Sequence, residues 1–192
     1  MSANRERMIT AATQLFSTLG FTRTTMDAVA SESGMSVQSV YFNFHSKANL
    51  MQAAFDHAAL ESGAPPPLTE WYRAATQEPD ADVALRYFVE GNCRVLATTG
   101  PLTFAAAAAN DSLAAAIYER NEELRRGVLA DMTYRLAIKR RLRDHLSIDR
   151  AADIVFGLIS PQLYGLLTAS RGWNHDDYVS WVREAIRREL WG

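Results

Sequence analysis

Thr24-Thr25-Met26-Asp27-Ala28-Val29-Ala30-Ser31-Glu32-Ser33-Gly34-Met35-Ser36-Val37-Gln38-Ser39-Val40-Tyr41-Phe42-Asn43-Phe44-His45-Ser46-Lys47 sets three helix starts close together. Thr24 or Thr25, then Ser36, then Ser46 each place a hydroxyl just before an apolar-periodic run, where a side-chain oxygen can accept from the free amides of a first helical turn. Gly34 separates the first two runs and suits a tight left-handed turn. Met26, Val29 and Ala30 are the inward positions of the first helix. Val37, Val40 and Tyr41 are those of the second, which the pattern carries through Tyr41 or Phe42. Leu50, Met51, Ala54 and Phe55 form the stripe of the third. Two short helices joined by a glycine turn give a helix-turn-helix.

Upstream, Met8, Ile9, Ala12, Leu15, Phe16 and Leu19 recur at helical spacing and Gly20 follows as a C-cap. Packed together, these helices push the one after Ser36 outward, in the arrangement that lets such a helix enter a major groove. Ser36 and the amides behind it can meet a phosphate at the positive end of the helix dipole. The Gln38 amide matches the N6 and N7 edge of adenine, Val37 suits a thymine methyl, and Ser39 suits either base type. The hydroxyls of Thr24, Thr25 and Tyr41 and the charge of Lys47 suit phosphate anchoring. Ser36 and Ser46 serve as caps in any case, and Phe16 and Phe44 are read as packing residues.

The stretch resembles the tetracycline-repressor family of bacterial transcriptional regulators. The features in register are Ala12 to Phe16 with Gly20-Phe21, the paired threonines, Val29-Ala30, Gly34 with Ser36, then Tyr41, Phe44, Ser46-Lys47 and Leu50. Asn43 stands where many members carry His or Tyr, and Ala48 where an acidic residue is common. The resemblance implies a DNA-contacting set of Thr24, Thr25, Ser36, Val37, Gln38, Ser39, Tyr41, Asn43 and Lys47. It further implies a homodimer on a palindromic operator in double-stranded DNA, and a repressor released by an unidentified small-molecule effector.

Beyond residue 60, Gly63-Ala64-Pro65-Pro66-Pro67 cannot continue a helix, because consecutive prolines remove donors and force extended backbone. This divides the chain into a DNA-binding domain over 1–62 and a helical effector-binding and dimerisation domain over 63–192. Helices are expected from Leu68 to Thr76, from Ala81 to Ala97, and from Leu102 to Ala109 after a turn at Gly100-Pro101. Others run from Asn110-Asp111-Ser112 to Arg140, from Ser147 to Ser170 with a kink at Pro161, and from an Asn174 cap to the end. No segment alternates as a strand does, so the fold class is all-α, with about nine helices. Effector-lining candidates are Trp71, Phe88, Cys93, Phe104, Tyr118 and Tyr134, which join apolar area to a few polar handles. Ile159, Leu163, Leu166, Trp181 and Ile186 are the candidates for a dimer surface.

A net charge of −2 offers no global attraction for a polyanion, so any nucleic-acid reading rests on local arrangement. Four cations against three anions leave the first fifty residues at +1 and the rest at −3. One cysteine, Cys93, precludes an internal disulfide and paired thiolate ligands. His45, His57, His145 and His175 lack ligand spacing, and neither a phosphate loop nor a nucleophile elbow is present. No catalytic residue, metal or cofactor is therefore expected. The apolar runs are too short for a signal peptide or a membrane span, which points to a cytoplasmic protein. The rival reading is a helical carrier or protein-interaction protein whose DNA-binding head no longer functions.

Overall fold

A computed structural model describes residues 3–60 and 69–192, and every regular element among them is helical. The chain forms two compact units, one of residues 1–60 with 101–121 and the other of 61–100 with 122–192. The expected boundary at Gly63 to Pro67 lies outside the described residues. The units do not correspond to a single cut there, because the segment 101–121 returns to the first unit.

In the first unit, α1 (Ala3–Arg23) is interrupted at Gly20, which has φ 77° and ψ 170°, and α2 (Met26–Ser33), α3 (Val37–Phe44) and α4 (Lys47–Ala59) begin where hydroxyl caps predict. Thr25 accepts from Ala28 N, Ser36 from Ser39 N and Ser46 from Asn49 N, each at 3.1 Å. Gly34 closes α2 in the left-handed region at φ 68° and ψ 29°, with its amide turned back to α2 carbonyls. Apolar faces of all four helices meet around Phe16, Val29, Val40, Leu50 and Ala54, all fully buried. Leu102, Ala105, Ala106, Ala114 and Ile117 join the same core. A fully buried Phe or Leu contributes roughly 1.5–3 kcal/mol relative to exposure, so this cluster fixes the head without help from propensity.

The junction of α3 and α4 is strained. His45 has φ 62° and ψ −36°, and Ser46 N donates to Phe44 O at 2.7 Å, which makes a γ-turn of the rare positive-φ kind. The His45 amide also closes α3 by donating to Tyr41 O at 2.8 Å.

In the second unit, α5 (Glu70–Gln77) is tied to α7 (Ser112–Lys139) at both ends. Tyr72 Oη donates to Asp131, and Lys139 Nζ to Thr76 O at 2.9 Å. Desolvation and the Asp131 bond both raise the Tyr72 pKa, so the phenol remains the donor. Trp71 of α5 lies directly on Gly91 of α6 (Ala81–Ala107), so closely that a Cβ there would fall 2.0 Å from the indole. Leu85, Phe88, Val89, Cys93, Leu129, Met132, Leu136, Val155, Tyr178, Val182 and Ile186 complete the core. Arg125 satisfies the C-terminus of α8 (Ile148–Leu158), donating to Phe156 O at 3.0 Å and Ile159 O at 2.7 Å.

Two expectations fail here for related reasons. The turn at Gly100-Pro101 is absent, and α6 runs through both residues to Ala107. Proline removes one donor, a cost of about 3 kcal/mol in an exposed helix, and burial of Leu96 and Leu102 on either side outweighs it. The helix expected from Ser147 to Ser170 is instead two. α8 stops at Leu158, Ile159 and Ser160 leave the helical region, and Ser160 caps α9 (Pro161–Gly165) with Pro161 in its first turn. A π-helical turn, Leu166–Ser170, follows, and then Asn174 caps α10 (His175–Trp191) by accepting from Asp177 N at 2.8 Å. Pro161 thus starts a helix, where its missing N–H costs nothing, and does not kink one.

The run 148–170 has the length and composition of a membrane span, with 28% of its most apolar stretch buried. Its break at Ile159-Ser160 leaves two pieces, each well short of the ~20 continuous helical residues that a crossing needs.

Candidate nucleic-acid interface

The core sets the direction of α3. Val40 and Phe44 point inward at 0% and 3% exposure, one turn apart. Positions 38 and 42 lie two residues from Val40, about 200° around the helix at ~100° per residue, and so face away from the core. Gln38 is exposed accordingly, Tyr41 is half-exposed at 48%, and Phe42 is exposed at 82%. Phe42 is the residue that sequence reading missed. The signal was its i, i+4 relation to Gln38, hidden because the helix was expected to end there.

Ser36, Val37 and Ser39 sit at the N-terminus of α3, Ser36 exposed and the others half-buried. Ser36 Oγ donates to Ser39 Oγ at 3.1 Å while accepting from the Ser39 amide, so the two hydroxyls form one small network at the positive end of the helix. Asn43 is half-buried and donates to Ser39 O at 2.8 Å, bracing α3 from within. Thr25 is exposed at the start of α2, its oxygen accepting from the helix and its proton free to face outward.

Thr24 and Lys47 are placed differently from expectation. Thr24 is fully buried and its hydroxyl donates to Gly20 O at 2.8 Å, which removes it from any outer surface. Lys47 is half-buried, and its ammonium donates to Phe21 O at 2.8 Å and lies 4.4 Å from the centre of the Phe21 ring. Its charge therefore also caps the C-terminus of α1, where a cation opposes the helix dipole.

The effector candidates are divided between the two units. Trp71, Phe88 and Cys93 lie in the core of the second unit. Tyr134 is 57% exposed there, whereas Phe104 and Tyr118 belong to the first unit. Burial pushes the Cys93 thiol up to about 12, so it is an inert apolar group. The indole Nε1 of Trp71 is buried with no hydrogen-bond partner. Of the dimer candidates, Ile159 and Ile186 are turned into the protomer's own core. Leu163 is half-buried, and Leu166 and Trp181 remain exposed at 54% and 39%. Among the described residues no group of three His, Cys, Asp or Glu side chains is placed to hold a metal ion.

Residues 8–54 match the sequence pattern of the bacterial regulatory proteins of the tetR family, and this span covers α1 to α4. This segment carries the N-terminal region of the tetR family. No curated protein matches the sequence. Solved structures of similar fold include NalD of Pseudomonas aeruginosa, described as the secondary repressor of the MexAB-OprM multidrug efflux pump. It is 18% identical, with 97% of this chain and 96% of that one aligned at a TM-score of 0.73. The regulator FadR of Bacillus subtilis, solved in complex with stearoyl-CoA, is 14% identical over 94% and 96%, with a TM-score of 0.74. MbdR of Azoarcus sp. CIB is 19% identical over 98% and 99%, with a TM-score of 0.71. These likenesses show a fold shared with those proteins over both units of the chain.

Proposed function

We propose that this chain is a sequence-specific DNA-binding transcriptional regulator of the tetR family, a repressor released from a palindromic operator by a small-molecule effector. The observation that carries the reading is the outward face of α3, where Gln38, Tyr41 and Phe42 stand exposed on a helix locked behind by Val40 and Phe44. Gln38 reads adenine, Ser36, Ser39 and the first amides of α3 meet a phosphate, and Thr25 and Tyr41 hold the backbone. Lys47 adds charge near the same backbone while it caps α1. Selecting binding sites for the full-length chain from a random duplex library tests this. Paired half-sites about one helical turn or a small multiple apart are expected, and a library that returns no enriched sequence contradicts it.

The dimer that such a palindrome requires is proposed to form through α8, α9 and α10. The support is the apolar run 148–170, only 28% of whose most apolar stretch is buried within one chain, together with exposed Leu166 and Trp181. Leu166→Arg is expected to yield a monomer by light scattering, and an unchanged dimer mass would place the interface elsewhere. The effector is proposed to be mostly apolar and to bind in the second unit beside Trp71 and Phe88, with the unpartnered Trp71 Nε1 as its donor. The stearoyl-CoA bound by a protein of the same fold supports that chemistry. A ligand that releases DNA must bind the DNA-free form more tightly, by the same factor in both directions.

A further inference from the structure

Phe42 is the most exposed large apolar side chain among the described residues. Its direction is not accidental, since the burial of Val40 and Phe44 on either side turns it directly away from the core. A phenyl ring that stays in water adds nothing to the stability of α3. It also has no donor or acceptor, so it can neither hold a phosphate nor share the hydrogen-bonding role of Gln38. In a major groove, the apolar group that protein side chains meet on base edges is the thymine C5 methyl, and phenylalanine is suited to that contact.

Position 42 lies one turn beyond Gln38 on the same face, with ~5–6 Å between Cβ atoms for such pairs. Successive base pairs along one strand are ~3.4 Å apart. A residue at this spacing meets a base within about two steps of the one that Gln38 reads. Val37, the thymine reader expected from sequence, is half-buried and gives less surface to a groove than Phe42 does. We infer that Phe42 is a specificity-determining residue whose ring packs on a thymine methyl within two base pairs of the adenine read by Gln38. The inference rests on the DNA-binding reading above.

Replacing thymine by deoxyuracil removes that methyl and nothing else, which gives a direct test. Each thymine of the selected operator is changed singly, and the affinities of the wild-type chain, Phe42→Ala and Phe42→Leu are measured. The wild type is expected to lose about fourfold at one thymine per half-site, the worth of one methyl group at about 0.8 kcal/mol. Phe42→Ala should be indifferent to that change, and Phe42→Leu should keep part of the sensitivity. Thermal unfolding should closely match the wild type in both variants, because the side chain is 82% exposed. If Phe42→Ala shows the same fourfold loss, the methyl belongs to another residue such as Val37 and the inference falls. It falls equally if no thymine responds in the wild type, which would leave the ring against sugar or solvent while DNA binding stands. If selection enriches no sequence, the DNA-binding reading itself fails and takes this inference with it.

Discussion

The two units are stabilised differently, and the contrast explains how each could be read. The first packs four helices into residues 3–59, and three of them are only 8 to 13 residues long. Each of those three starts on a hydroxyl cap, and Gly34 stops the first of them. The second unit contains most of α6 and α7, helices of 27 and 28 residues that start on the Asp80 and Asp111 carboxylates and are carried along their length by buried faces. Short helices need explicit punctuation, because an isolated helix of this length is marginal in water. Long ones are held by the core and can override a Gly-Pro pair.

Measurements at four positions break or sharpen this contrast. The largest effect is expected at Cys93, where burial raises the thiol from 9.0 to about 12. Native protein at pH 8 should react with a thiol reagent on the order of a thousandfold more slowly than unfolded protein, since each pKa unit is tenfold in thiolate. The same shift makes stability fall as pH rises from about 9 to about 12, where only the unfolded chain releases the proton. Rapid labelling of the native chain would mean the second core is open.

Next comes Gly91→Ala, whose Cβ would sit 2.0 Å from the rigid Trp71 indole. A loss of about 3 kcal/mol in urea unfolding is expected, the upper part of the usual range for overpacking. A neutral result would show that α5 can shift freely. The smallest effects belong to the first unit. Ser46→Ala should cost about 1 kcal/mol as a lost cap. His45→Gly should gain up to about 1 kcal/mol by relieving the positive-φ turn, after the entropy glycine loses on folding. If Ser46→Ala costs nothing, capping is not what defines α4.

Most of the first unit was legible in sequence because its signals act over three or four residues. Thr25, Ser36 and Ser46 cap as the spacing indicated, as Ser147 and Asn174 do in the second unit, and Gly34 turns where a glycine was wanted. Lys47 shows the limit. Its partner Phe21 is 26 residues away, so its role at the end of α1 could not be read from spacing. Thr24 was one of two equivalent hydroxyls until the core enclosed it and left Thr25 as the cap. In the second unit, Ile159 and Ile186 looked like partner-facing residues because their helices are apolar on more than one side. Which side faces inward depends on how α8 and α10 pack, and periodicity alone does not specify that.

The central claim is that α3 reads sequence through Gln38, and the most direct measurement compares Gln38→Ala with wild type across every single-base change of the selected operator. The account predicts that the variant loses discrimination at one base pair of each half-site, by roughly 1–3 kcal/mol for a bidentate amide contact, and keeps it elsewhere. A uniform loss across all sequences, or no loss at all, would contradict it.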